Sequence, residues 1–105
     1  MPAFLFRLIP PRPDFAFTMS DEERTTMLDH VGYWGELTAA GRTIAYGPVN
    51  DPAGGYGIGI VLAADIGAAE ELRDADPAMR SPHGFRTEIH PMLRCVTPSG
   101  THDAT

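Results

Sequence analysis

Cysteine is almost missing from this sequence of 105 residues: Cys95 stands alone. That excludes an internal disulfide and any metal site built from several cysteines. Its setting between Arg94 and Val96, in a β-like run, marks it as a small buried hydrophobe rather than a nucleophile. Basic clusters are missing too. The net charge is −6, and no stretch gathers the cations that neutralising phosphates requires, so neither nucleic acid nor a membrane surface is an expected partner. No apolar run reaches the length of a membrane span. Residues 1–9 are apolar but short, carry Arg7 and have no small-residue cleavage site behind them, so they read as a first strand and a cytoplasmic location is expected. Gly55, Gly57 and Gly59 alternate along a strand-like segment instead of opening a helix, so they form no dinucleotide fingerprint. No cofactor and no metal site is expected. His83 and His90 are seven residues apart, which on a strand puts them on opposite faces, and His102 lies in the polar tail.

What remains is an ordinary globular composition, 43% hydrophobic and 21% charged, in a chain of single-domain size. Residues 3–9 form a nearly continuous apolar run stopped by Pro10 and Pro11, the pattern of a buried strand. Residues 10–19 read as a proline-stiffened loop whose Phe15 and Phe17 fold back over the core edge or over a pocket mouth. Ser20-Asp21-Glu22-Glu23 is a capping box, and the helix it opens covers about residues 21–40, with Gly41 as the C′ residue. Residues 43–49 and 56–64 read as two strands joined in a hairpin across the Asn50–Gly55 turn, and a second helix runs to Ala75 before Asp76-Pro77. Residues 84–96 read as one last strand, with Phe85, Ile89, Leu93 and Cys95 on one face and Arg86, Glu88, His90 and Arg94 on the other.

The predicted order is β-α-β-β-α-β. This is the ferredoxin-like α+β arrangement, a four-stranded antiparallel sheet with two helices on one face. The domain spans residues 1–96, and residues 97–105 are expected to be a frayed, flexible tail. Two helices cover only one face of such a sheet, yet the first strand is apolar on both sides. A homodimer packing sheet against sheet is the expected way to cover the other face.

Chemistry concentrates on His30. Met27, His30, Trp34, Leu37 and Gly41 follow at steps of three and four, so an imidazole stands on the buried stripe of the long helix. There it must be hydrogen-bonded. The topology brings the turn after the second helix close to the first helix, which makes Asp76 the natural carboxylate for His30. A carboxylate on one ring nitrogen fixes the tautomer and leaves the other nitrogen as a general base. The alternative is that Asp76 only caps its own Asp-Pro turn and His30 is a satisfied core histidine. Gly57 and Gly59 point to one face of their strand and leave it bare, so a helix or a ligand must approach closely there. Trp34, one turn from His30, is either core or a platform for a substrate.

The chain resembles the YCII-related family of small α+β proteins. The resemblance rests on Asp29-His30-Val31 in helix one, Gly47-Pro48 closing strand two, Gly57-Ile58-Gly59-Ile60-Val61 in the hairpin, and Ala75-Asp76-Pro77 before the last strand. It implies a ferredoxin-like fold, dimerisation into an α+β barrel, and a His–Asp pair, here His30 and Asp76, lining a cleft as the catalytic centre. It also implies a superfamily that includes isomerases and lyases acting on small cyclic compounds. The long residue 10–19 segment and Ala78-Met79 after Asp76-Pro77 depart from the family pattern, and they bear on pocket size and substrate. Two readings of function follow. One is a lyase- or isomerase-type enzyme in which His30 is the base, Asp76 orients it, and Trp34, Gly57, Gly59, Phe15 and Phe17 surround a small polar or aromatic substrate. The other is a non-catalytic small-molecule-binding or accessory module with a structural His–Asp pair.

Overall fold

The computed structural model describes residues 1–104. Strand β1 (Ala3–Ile9) lies between β3 (Tyr56–Leu62) and β4 (Arg86–Pro91), and β2 (Thr43–Val49) pairs on the outer side of β3. The sheet order is β2-β3-β1-β4, and every pairing is antiparallel. Phe4, Phe6 and Leu8 share one face of β1 and set the register, opposite Val61, Gly59 and Gly57 on β3. The two long helices pack on this face. Trp34 and Leu37 from α2 (Asp21–Ala39) meet Ala69 and Leu72 from α3 (Ile66–Ala75) over Phe4, Phe6 and Val61.

The α2 boundaries follow from its ends. Ser20 Oγ accepts the Glu23 amide at 3.1 Å, and Glu23 Oε1 accepts the Ser20 amide at 2.8 Å, which closes the predicted capping box. At the other end Gly41 adopts φ +75°, and the Arg42 and Gly41 amides donate to the carbonyls of Leu37 and Thr38. That is a Schellman ending, and it favours glycine because a side chain is strained at that φ. Two further short helices lie outside the predicted elements: α1 (Phe15–Thr18), in the segment read as a loop, and α4 (Pro77–Arg80), after Asp76. Leu8 anchors a second cluster beneath them with Phe15, Ala78 and Phe85.

The last strand departs from its predicted span. The expected single strand over residues 84–96 is broken after Pro91, and β5 (Arg94–Thr97) forms a separate hairpin with β6 (Gly100–Asp103). Alternation across residues 84–96 assumed an unbroken pleat. The break at Met92-Leu93 turns Leu93 outward, 90% exposed, while Cys95 is buried on the hairpin. The expected frayed tail carries β6 instead, and its final residue, Thr105, lies outside the described residues. Among the described residues no helix is long and apolar enough to cross a membrane.

Candidate functional site

The α3–α4 junction sets Asp76 against α2. Pro77 stops α3 at Asp76, which adopts φ −66° and ψ 126° and becomes the N-cap of α4, with Oδ1 accepting the Ala78 amide at 2.9 Å. The same carboxylate lies 2.9 Å from His30 Nδ1 through both oxygens, and Trp34 Nε1 donates to Oδ2 at 2.9 Å. The turn-capping and histidine-partner readings of Asp76 therefore both hold at once. Asp76 is only 3% exposed, so these three contacts stand in place of water around the carboxylate.

The network assigns the tautomer. An indole N–H and a backbone N–H can only donate, so the carboxylate oxygens act as acceptors, and the complementary third donor is Nδ1–H of His30. In the neutral ring Nε2 then carries the lone pair. No protein group among the described residues bonds to Nε2, and the His30 ring lines a cavity of about 330 Å3. An imidazole oriented through Nδ1 at a cavity wall is an arrangement able to serve as a general base. Tyr33 braces the helices behind it. Its hydroxyl donates to the Leu72 carbonyl at 2.7 Å, and burial first, then the Asp76 charge, pushes its pKa above the ordinary tyrosine value.

The cavity lies between α2, α1 and the β2–β3 side of the sheet, and its lining is overwhelmingly apolar. Of the residues expected at the site, His30, Asp76, Trp34, Phe15, Gly57 and Gly59 all line it. Phe17 does not: it is 82% exposed. The segment is a helical turn rather than a loop, and residues two apart on a helix point about 200° apart, so Phe15 and Phe17 cannot both face inward. The two glycines also serve different ends. A Cβ at Gly59 would fall 2.7 Å from Trp34 Cη2, so the indole is what approaches the bare strand there. A Cβ at Gly57 would meet Leu8 only at ordinary contact distance, 3.5 Å, and Gly57 is left as open floor.

Sequence reasoning offers Tyr46 only as one of two tyrosines able to reach the cleft, and it passes over Phe85 in the wall and Arg12 behind it. Phe85 meets Phe15 edge-to-face at 5.1 Å, and Tyr46 stands 6.1 Å from Trp34 at a tilt of 31°. Arg12 anchors α1, with Nη1 and Nη2 on the two Glu23 oxygens at 2.9 and 2.7 Å and Nη2 also on the Thr18 carbonyl. Hydrogen bonds from the Arg12 guanidinium first, then from the Ser20 amide, hold the Glu23 carboxyl down to about 2. Nothing in the spacing of Arg12 and Glu23 signals this pair, because Glu23 already has a role in the capping box. The remaining histidines lie elsewhere: His83 bonds Thr26 at 3.0 Å, His90 faces Glu88, and His102 pairs with Cys95 in the hairpin. Among the described residues no group of three His, Cys, Asp or Glu side chains converges.

A family model describing the YCII-related domain matches residues 3–93. The chain belongs to that family. The match spans all four strands of the main sheet, both long helices and the His30–Asp76 pair, and stops where the C-terminal hairpin begins. No curated protein matches this YCII-related chain.

Proposed function

We propose that this YCII-related protein is a lyase- or isomerase-type enzyme in which His30 Nε2 removes a proton from a small cyclic substrate. Asp76 is the positioning residue, and Trp34 and the Ala78 amide hold it in place. The observation that carries this reading is the three-donor network on Asp76, which leaves a lone pair on Nε2 beside the cavity. The α1 segment supplies a wall that limits water, since Phe15 is 5% exposed and is pinned through Arg12. Proton abstraction of this kind contributes roughly 10²–10⁴-fold to a rate, enough to act on a carbon already activated by a neighbouring carbonyl.

The same reading includes a cytoplasmic homodimer of ferredoxin-like protomers closing into an α+β barrel. Support comes from the sheet face opposite the long helices, where Leu5, Ile58, Ile60 and Leu62 alternate outward from β1 and β3.

Hydrogen–deuterium exchange followed by NMR tests the base. A set of cyclic enones and lactones is incubated in D2O with the wild type and with His30→Gln. The expected result is protein-dependent exchange at an acidic C–H for at least one compound, lost in His30→Gln and reduced in Asp76→Asn. No acceleration over buffer for any compound would remove the enzymatic reading. One observation favours the binding-module alternative: the lining carries no arginine to hold a developing oxyanion. Binding without exchange would select that alternative.

A further inference from the structure

Resting on the reading of the cleft as a small-molecule site, we infer that it selects an uncharged, flat ring compound with one weakly acidic edge group set against His30 Nε2, and rejects carboxylates and phosphates. The chain's eight basic side chains are all arginines, and none of them lines the cavity. Four are occupied by other partners, Arg73 among them with Nε on Asp74 at 2.9 Å. Arg7 stacks over the Tyr56 ring at 4.4 Å, Arg12 holds Glu23, and Arg94 pairs with Asp103 at 2.7 Å. The one charged carboxylate at the wall is Asp76, and the chain's net charge is −6. An entering anion would therefore lose water, gain no cation, and meet a negative field.

Polar groups inside are few, and most are already engaged. The Trp34 indole N–H is on Asp76, and the Thr87 hydroxyl is on Met79 Sδ at 3.1 Å. The Tyr46 hydroxyl lies against Gly35 of α2, where a Cβ would meet it at 3.6 Å. The Tyr46 and Tyr56 hydroxyls on the lining bond to no protein group among the described residues, and Nε2 of His30 is the most basic acceptor left for one ligand N–H, O–H or acidic C–H. The walls set the shape. Gly57 gives a floor without side chains, the Phe15–Phe85 pair closes one side, and the tilted Trp34 and Tyr46 rings close another. Aromatic faces around a flat floor favour a planar guest through offset and edge contacts. At about 330 Å3 the cavity is at the small end of ligand sites, which run from roughly 300 to 1,000 Å3.

The test compares ring compounds of one size by isothermal titration calorimetry at neutral pH: β-naphthol, β-naphthoate and decahydro-β-naphthol. β-Naphthol is expected to bind, with β-naphthoate and the non-planar alcohol each roughly tenfold or more weaker. Intermolecular NOEs from β-naphthol to Met27 and Trp34 are expected in the wild type, and Gly57→Val should abolish binding. A strand position suits valine, and its unfolding midpoint checks the fold independently. Equal or tighter binding of β-naphthoate, with the same NOEs, would overturn the neutral-ligand inference and leave the cleft reading intact. Equal binding of decahydro-β-naphthol would overturn planarity in the same way. No binding by any of the three, or NOEs to other residues, would overturn the cleft reading and this inference together.

Discussion

Asp76 receives three N–H groups on two oxygens, so losing its carboxylate strands all three at once. Asp76→Ala is expected to lower the unfolding free energy in urea by at least about 1–3 kcal/mol, the cost of one buried donor left unpaired. The glycine pair gives a sharper contrast at the same scale. Gly59→Ala drives a methyl into the Trp34 ring, which also packs edge-to-face on Phe6 at 5.6 Å, so the indole has little room to give. Overpacking of this kind costs roughly 1–3 kcal/mol. Gly57→Ala meets only ordinary contacts, and its urea midpoint should stay at or above that of the wild type. A midpoint falling equally in both variants would mean that the indole does not seat on Gly59. The bareness of the strand is legible in the glycine alternation, but which glycine serves the core and which serves the cavity depends on how far Trp34 reaches across the helix–sheet interface.

At the scale of elements, α1 hangs on one ion pair. Glu23 is both the N3 residue of the α2 capping box and the partner of Arg12, so the helix start and the cavity wall share a carboxylate. Its folded pKa is about 2 against an ordinary 4.5. A depressed carboxylate contributes stability that is fully present above the unfolded value and is lost as pH falls through the folded one. The stability difference between wild type and Glu23→Gln is therefore expected to be constant above about 4.5 and to shrink steadily toward about 2. A difference that does not vary over that window would contradict the pair. Ser20→Ala should cost roughly 1 kcal/mol through the cap alone. The α2 ends were legible because Ser20, Glu23 and Gly41 are local signals. The α1 turn was not, since Phe15 and Phe17 look alike in a loop and only helical geometry separates them. The last strand failed for a related reason. Its alternation continues through Pro91, but the ladder to β1 closes one residue later, with the Met92 amide on the Ala3 carbonyl at 3.0 Å, and the hairpin beyond it has its own register.

For the whole molecule, the fold joins two distant pieces of chain, the middle of α2 and the α3–α4 junction, over the glycine-bared end of β3. That juxtaposition was legible because the element order places the turn after α3 beside α2, and a carboxylate in that turn has an imidazole within reach. The indole bond to Asp76 was not, because nothing in the spacing of Trp34 and Asp76 orients the ring. If the second sheet face is covered by another copy, sedimentation at micromolar concentration should give about twice the chain mass of 11.4 kDa, and Ile60→Glu should give the single mass. A wild type that sediments as a single chain would contradict the dimer and leave the dyad untouched. The dyad itself is tested most directly by long-range 1H–15N NMR of the His30 ring in its neutral form. The network predicts Nδ1 protonated and Nε2 bare in the wild type, with Nε2–H becoming populated in Asp76→Asn. An Nε2–H tautomer in the wild type would mean that Asp76 does not orient His30, and the base in the cleft would be lost with it.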